Sequence, residues 1–285
     1  MSNLFNDPPT EEELYQTAIR VPLERKITQA IDLIREMESS ALKLSPNGYY
    51  VCFSGGKDSV VLAELFRLSG VKYTLNYNIT TIDPPEVIRF MRKFYPDLIW
   101  HRAERKSLPY KMAERFGPPT RLKRWCCNVY KEHGGDGLFK ATGVRGEESP
   151  RRKGMWKQIN KDRYSEAFIV CPIVYWTDSD IWRFIHEHNL PYCSLYDEGF
   201  KRLGCIGCPY GDTKQMLKQF ERWPRYEALW KRGFQKYWDN FKGVPKRNGE
   251  DRWIEKMNSV DDLWNWWISG KAYKGEQADC QMWLW

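Results

Sequence analysis

One stretch of the sequence, residues 49–62, constrains the fold more than any other. Residues 49–53 are apolar and β-prone, which predicts a short buried strand. A glycine turn follows, and from Asp58 onward apolar residues recur at the spacing of a helix face. A helix N-terminus after such a turn directs free backbone N–H groups and the positive end of the helix dipole at one point. The stretch therefore predicts a site for a phosphate chain, formed by Ser54, Gly55, Gly56, Lys57, Asp58 and Ser59.

The rest of the pattern predicts an α/β protein in which strands and helices alternate. Further strands are predicted at residues 72–79, 98–102, 138–144 and 167–171. Helices are predicted at residues 11–20 and 22–44, after the glycine turn, from Pro84 to about Phe94 with Asp83 as N-cap, and from Thr177 onward. Such alternation predicts a doubly wound parallel sheet, with the ligand at the carboxyl ends of the strands.

Composition narrows the class of protein. The chain has 285 residues, of which 42% are hydrophobic and 29% charged, as is typical of a soluble globular protein. No apolar run approaches the length of about 18 residues that a membrane helix needs. The first residues show neither the basic nor the apolar region of a secretory signal. We therefore expect a cytoplasmic location without a membrane partner, where the eight cysteines are reduced thiols or metal ligands.

The positive charge of the chain is concentrated in one segment. Residues 101–163 hold 17 Lys/Arg against 7 Asp/Glu, whereas the whole chain carries a net charge of +8. Within this segment a strand is predicted to run into a turn with three arginines, which suits the binding of phosphate or sulfate oxygens by Gly143, Arg145, Arg151 and Arg152. The segment predicts contact with phosphates or nucleic acid; a solvated basic face with surface ion pairs is the alternative.

Four cysteines form the second strong signal. Cys126 and Cys127 are adjacent, and Cys205 and Cys208 have the C-x-x-C spacing of a metal chelate. Structural zinc generally takes cysteines two to four residues apart, so the adjacent pair is unusual for zinc. A 4Fe–4S cluster needs four thiolates, one for each iron, and can accept neighbouring ligands. The pattern favours such a cluster; a zinc site and unmetallated thiols remain the alternatives.

These motifs together resemble a known family. Ser54-Gly55-Gly56-Lys57-Asp58-Ser59 lacks the spacing of a Walker loop and resembles the PP-loop of the ATP pyrophosphatase superfamily. That superfamily includes the sulfonucleotide (APS and PAPS) reductases, tRNA thiolases and DNA phosphorothioation enzymes. An adjacent cysteine pair followed some eighty residues later by C-x-x-C is similar to the cluster motif of the 4Fe–4S reductases. The resemblance spans about residues 46–212.

The resemblance implies a fold, cofactors and site residues. It implies an adenine nucleotide alpha hydrolase-like fold that binds ATP, APS or PAPS, with Mg²⁺ as a further expected ion. Lys131 matches a family lysine that tunes the electrostatics of the cluster. The implied organisation is an N-terminal helical segment (residues 1–45), the PP-loop domain (46–212) and a Trp-rich helical appendage with a tail (213–285). In the appendage, core packing is the first interpretation of the tryptophans and base stacking the second.

Two departures from the reductase pattern leave the activity open. Reductases carry aspartate-threonine-glycine after the second strand, where this chain has Thr81 and Asp83, which we expect to contact the nucleotide. Reductases end with Glu-Cys-Gly-Leu/Ile-His, whereas this chain has Cys280 without that glycine and histidine.

Two activities and one non-catalytic role therefore compete. Sulfonucleotide reduction would use Cys280 and Lys57 as catalytic residues and a thioredoxin-like reductant as partner. ATP-dependent adenylation and sulfur insertion would act on DNA or RNA. A non-catalytic sensor of nucleotide and cluster is the third possibility.

Overall fold

The structure, a computed structural model, describes residues 10–271. It divides into two compact units, each built from separate stretches of chain. The first unit comprises the chain up to Tyr77, Glu86–Trp100 and Gly135–Leu203. The second unit comprises Asn78–Pro85, His101–Gly134 and the chain from Gly204 onward. The division at residues 45 and 212 that the sequence suggested stays a prediction.

A mainly parallel six-stranded sheet confirms the predicted α/β class. The strands are β1 (Tyr49–Cys52), β2 (Tyr73–Asn78), β3 (Ile99–His101), β4 (Lys140–Ala141), β5 (Ile159–Lys161) and β6 (Phe168–Val170). Their order is β3-β2-β1-β4-β6-β5. β1 pairs in parallel with β2 and β4, β4 pairs in parallel with β6, and β5 pairs with β6 antiparallel. β5 was not predicted from the sequence, because its three residues include two polar side chains and show no strand pattern of their own.

Helices precede, separate and follow the strands. The α-helices between residues 10 and 271 are α1 (Glu11–Ile19), α2 (Leu23–Glu36), α3 (Glu38–Leu44), α4 (Lys57–Ser69), α5 (Pro85–Phe94), α6 (Leu108–Lys111), α7 (Trp125–Cys127), α8 (Pro150–Met155), α9 (Asp178–Glu187), α10 (Thr213–Arg222), α11 (Pro224–Phe241) and α12 (Val260–Ser269). The predicted helix over 22–44 is wrong in one respect: it is broken at Met37, where ψ is −2°. In this part of the chain, none of the helices has the length and apolar character of a membrane span.

The core of the first unit fixes the strand that leads to the glycine turn. Tyr49 and Val51 of β1 are fully buried in a cluster with apolar side chains of α2, α4 and α9. The Tyr49 hydroxyl donates to the Ile34 carbonyl at 2.6 Å. Because this burial holds β1 in place, it also fixes the position at which the glycine turn begins.

The second unit is built around aromatic side chains of α10, α11 and α12. Trp230 and Trp267 have ring centroids 4.7 Å apart, and Phe234 meets Trp264 edge-on at 5.3 Å. Trp230, Phe234 and Trp267 are buried. Core packing therefore describes these tryptophans, and base stacking does not.

Candidate functional site

The glycine turn after β1 has the geometry of an anion-binding loop. Gly55 has φ of +71°, and a Cβ there would lie 2.8 Å from Val87 Cγ1, so only glycine fits. Gly56 is extended and caps α4, which begins at Lys57. The Ser59 hydroxyl accepts from Ser54 N at 3.2 Å and donates to the Gly56 carbonyl at 2.8 Å. These bonds tie the loop to the first turn of α4.

Two buried cations lie at this loop. The Lys57 ammonium is 2.9 Å from Asp178 Oδ1 and 3.5 Å from Asp58 Oδ2. Arg145, in the segment after β4, donates from Nε to Asp58 Oδ1 at 2.5 Å and from Nη2 to Asp178 Oδ1 at 3.0 Å. Its Nη1 donates to Glu147 Oε2 at 2.8 Å. The structure thus joins the predicted residues Lys57, Asp58 and Arg145 in one network.

The carboxylates of this network differ in solvent exposure. The side chains of Asp178 and Glu147 are 53% and 46% exposed, whereas that of Asp58 is 22% exposed. Burial works against ionisation of Asp178, but the hydrogen bond from Lys57 and the charge of Arg145 outweigh it and lower its pKa. Asp178 and Glu147 therefore border solvent, whereas Asp58 is mostly covered.

Tyr196 also contacts the glycine loop, and its role was not predicted from the sequence. Its hydroxyl accepts from Lys57 N at 2.8 Å and therefore occupies a donor at the N-terminus of α4. It lies 139 residues from Lys57, as Asp178 lies far from Arg145, so no local pattern marks either residue.

The other predicted residues of the first unit have different surroundings. A Cβ on Gly143 would lie 3.1 Å from the Asp58 carbonyl oxygen, so the small residue lets the loop pack close. Arg152 pairs with Glu148, and Arg151 Nε lies 3.3 Å from Met155 Sδ. Local contacts therefore account for both arginines, and phosphate binding by them stays a prediction.

The four predicted cysteines lie together in the second unit. All four are free thiols and partly buried. Cys126 and Cys127 are in α7, followed by a single π-helical turn, Asn128–Glu132, that carries Lys131. Arg124 Nη2 lies 3.5 Å from Cys127 Sγ, and Cys205 Sγ lies 3.4 Å from Thr80 Oγ1.

The pKa values show that these thiols and cations act on one another. The hydrogen bond between the neighbouring thiols, with burial, raises the pKa of Cys126; the same bond, with the charges of Arg124 and Lys131, lowers the pKa of Cys127. Burial raises the pKa of Cys205 to about 11 against the opposing charge of Lys131. The charge of Cys205 in turn raises the pKa of Lys131.

Thr81 and Asp83 belong to the unit that holds the cysteines. Asp83 accepts from Thr80 N at 2.9 Å and from Thr80 Oγ1 at 2.5 Å. The predicted N-cap role of Asp83 is wrong, because the helix after it begins at Pro85. The Asp83 carboxylate instead accepts hydrogen bonds from Thr80. Thr81 has φ of +70°, a strained value for a β-branched residue, and its hydroxyl accepts from Leu108 N at 2.9 Å. Contact of either residue with a nucleotide stays a prediction.

The donor set provides the four thiolate ligands that an iron–sulfur cluster needs. Between residues 10 and 271, no three His, Cys, Asp or Glu side chains are placed to hold a single ion. In a 4Fe–4S cluster each thiolate binds a different iron, so the four cysteine sulfurs need not converge on one point. Four neighbouring free thiols with Arg124 and Lys131 beside them supply the ligands and the balancing charge. The predicted nucleophile Cys280 lies outside the described residues.

Comparisons with known proteins agree with these features. The family model of the phosphoadenosine phosphosulfate reductase domain matches residues 48–210. The adenosine 5'-phosphosulfate reductase of Staphylococcus haemolyticus is 33% identical over 189 residues, which cover 62% of this chain and 76% of that protein. An uncharacterised protein of Methanocaldococcus jannaschii is 27% identical over 231 residues, covering 76% of this chain. The chain spans 45% of the length of that archaeal relative.

Two solved structures are similar at lower identity. Phosphoadenylyl-sulfate reductase from Candida auris matches with a TM-score of 0.46 and 18% identity, over 70% of this chain and 98% of that one. Candida glabrata FMN adenylyltransferase matches with a TM-score of 0.48 and 17% identity, over 69% and 71% of the two chains. The family model covers more than half of the sequence and includes both the glycine loop and the four cysteines. The chain belongs to the phosphoadenosine phosphosulfate reductase domain family.

Proposed function

We propose that this protein is a PP-loop enzyme that binds an adenine sulfonucleotide, APS or PAPS, and releases its sulfur as sulfite. The observation that carries the proposal is the network of Lys57 and Arg145 at the N-terminus of α4. Two buried cations beside a glycine loop form a site that attracts phosphate oxygens. Membership of the family supports binding of an adenine nucleotide. That this nucleotide is APS or PAPS is the further step that we propose.

Binding would exchange one set of anions for another. The phosphosulfate oxygens would replace Asp178 and Glu147 on the two cations, and one of them would replace the Tyr196 hydroxyl on Lys57 N. With Asp58, Asp178 and Glu147 around two cations, the network carries an excess of negative charge before the nucleotide binds. A Mg²⁺ ion held by one or two of these carboxylates together with the nucleotide's phosphates would offset that excess of negative charge.

The reaction would use Cys280 as nucleophile. Its thiolate would attack the sulfur of the phosphosulfate, forming an S–S bond while the S–O bond to the nucleotide breaks and AMP, or its 3'-phosphate, leaves with the electron pair. A thioredoxin-like dithiol would then attack Cys280 Sγ and release sulfite, and its two thiols would end as a disulfide. Lys57 would stabilise the charge that develops on the leaving phosphate.

We also propose a 4Fe–4S cluster on Cys126, Cys127, Cys205 and Cys208. When bound, it would supply a redox-active centre in the second unit. Arg124 and Lys131 would balance the negative charge of its thiolates.

Lys57→Ala is expected to weaken binding of ATP, APS or PAPS by about 1.5–3 kcal/mol, the range for hydrogen bonds to charged groups. This corresponds to about a 10- to 150-fold rise in Kd. Isothermal titration calorimetry measures it. Lys161→Ala is the matched control, because Lys161 is exposed and pairs with Glu166. Equal affinity in the wild type and Lys57→Ala would show that the loop is only a structural turn.

Cys280→Ser is expected to abolish both the S-sulfonate adduct and sulfite release while leaving nucleotide affinity unchanged. Deleting residues 278–285 should have the same effect. Mass spectrometry of peptides after incubation with APS or PAPS, without reductant, detects the adduct. Wild-type protein that releases sulfite without any adduct on Cys280 would contradict this role.

A second candidate, ATP-dependent sulfur insertion into nucleic acid, is favoured by the charge of the second unit. Its segment 101–134 holds nine Lys/Arg against three Asp/Glu. Arg121 donates to the carbonyls of Pro209 and Gly211, which are uncharged acceptors. In segment 101–134, Glu114 pairs with Lys106 and Glu104 with Lys111. In segment 135–163, carboxylates pair with more of the cations: Lys140, Arg145, Arg152, Lys153, Lys157 and Lys161. For this activity, pyrophosphate release from ATP should require DNA or RNA and fall steeply with salt.

A further inference from the structure

The two cysteine-bearing segments are joined by an arginine and a tyrosine. Arg121 donates from Nε to the Pro209 carbonyl at 3.2 Å and from Nη2 to the Gly211 carbonyl at 3.0 Å. In return, the Tyr210 hydroxyl donates to the Arg121 carbonyl at 3.1 Å. Gly211 N donates to the Cys208 carbonyl at 2.9 Å. These reciprocal bonds fix the segment just before Cys126 against the segment just after Cys208.

A second arginine lies on this framework and reaches a sulfur. The Arg124 guanidinium carbon is 4.3 Å from the centre of the Tyr210 ring, within the range of a cation–π contact. Its Nη2 lies 3.5 Å from Cys127 Sγ. Because the Tyr210 hydroxyl is held by Arg121, the ring is fixed, and the ring in turn orients the guanidinium toward Cys127. The charge of Arg124 is thus directed at one of the four thiols.

We infer that Arg124, oriented by Tyr210, is a positioning residue that raises the reduction potential of the cysteine centre. The inference rests on the proposed 4Fe–4S cluster. A cluster ligated by four thiolates becomes more negative on reduction, so a hydrogen bond to a ligating sulfur and a nearby positive charge both favour the reduced form. Arg124 supplies both at Cys127.

The test is a redox titration of the anaerobically reconstituted full chain, followed by electron paramagnetic resonance and visible absorption. Arg124→Gln should keep the iron and sulfide of the wild type and shift the midpoint potential to more negative values. Tyr210→Leu should shift it in the same direction although Arg124 is present, because the guanidinium is no longer held. Tyr210→Phe, which keeps the ring, should shift it less.

Two further variants keep the test decisive. Arg247→Gln removes the same charge from an exposed position of the second unit and should leave the potential unchanged. Arg124→Lys keeps the charge, and its midpoint potential should lie between those of the wild type and Arg124→Gln. If Arg124→Gln does not retain iron, the potential of Arg124→Lys is compared with that of the wild type instead.

The outcomes separate this inference from the proposed cluster. A loaded wild type whose potential equals those of Arg124→Gln and Arg124→Lys would overturn the role of Arg124 alone. Wild-type protein without iron and sulfide would overturn the cluster itself, and this inference with it.

Discussion

Cys205→Ser is expected to reduce bound iron and sulfide from about four each per chain to near zero after anaerobic reconstitution. Cys205 lies against Thr80 and is the group whose charge acts most strongly on Lys131. With one thiolate missing, one iron loses its protein ligand. The same loss is expected for serine at Cys126, Cys127 or Cys208.

The substitution should also lower the yield of folded protein, because metal ligation is coupled to folding. Cys205 is next to Ile206, whose carbonyl accepts from the buried Trp230 Nε1 at 3.1 Å. A cluster bound there would fix the cysteine segment to the aromatic core of the second unit.

Iron, sulfide and zinc analysis with the visible spectrum measures this effect. Cys52→Ser, in the first unit, serves as the matched control and should keep the wild-type iron content. Stoichiometric zinc without sulfide in the anaerobically purified wild type would contradict the cluster.

Asp180→Asn is expected to lower the free energy of unfolding by about 1.5–3 kcal/mol, the range for hydrogen bonds to charged groups. The Lys26 side chain is 3% exposed, and its ammonium lies 2.6 Å from Asp180 Oδ2. Asparagine keeps the shape of the side chain and an acceptor for Thr177, so the change isolates the loss of charge beside Lys26. Urea denaturation at neutral pH measures the effect.

The same ion pair predicts a pH dependence. Burial opposes ionisation of Asp180, but hydrogen bonds from Lys26 and Thr177 outweigh it and hold its pKa below the ordinary 3.8. A lowered carboxyl pKa contributes stability at neutral pH that is lost as the pH falls below 3.8 through the folded-state value. Asp180→Asn should therefore lose less stability than the wild type on acidification.

An exposed pair in the same helix provides the control. Glu187→Gln removes a carboxylate that is 47% exposed and pairs with Arg183. Its effect at neutral pH should stay within about 0.5 kcal/mol. An Asp180→Asn effect no larger than this would contradict the buried ion pair.

Local patterns explain why much of the first unit could be predicted. The strand, glycine turn and helix of residues 49–69 are each determined by neighbours in sequence, and β1 and α4 confirm them. The helix predicted from Thr177 onward is present as α9, and its first turn is closed by a capping box between Thr177 and Asp180. By contrast, β5 exists only because it pairs with β6, so its own three residues gave no signal.

Long-range contacts explain what the sequence did not reveal. The bond between Arg145 and Asp58 spans 87 residues, and no periodicity connects the two. The stacking of Arg124 on Tyr210 likewise joins segments that are distant in sequence. The neighbourhood of Cys126 and Cys205 could be expected only through the family resemblance, since spacing alone does not bring such distant cysteines together.

The most direct test of sulfonucleotide reduction by this protein is a product assay on the anaerobically reconstituted wild type. The protein is incubated with APS, PAPS or ATP and a thioredoxin-like dithiol, and sulfite, nucleotide monophosphate and pyrophosphate are followed together. Sulfite and AMP are expected from APS, and sulfite and 3'-phosphorylated AMP from PAPS, without pyrophosphate from ATP. Pyrophosphate released from ATP only when DNA or RNA is added, with no sulfite from either sulfonucleotide, would contradict sulfonucleotide reduction.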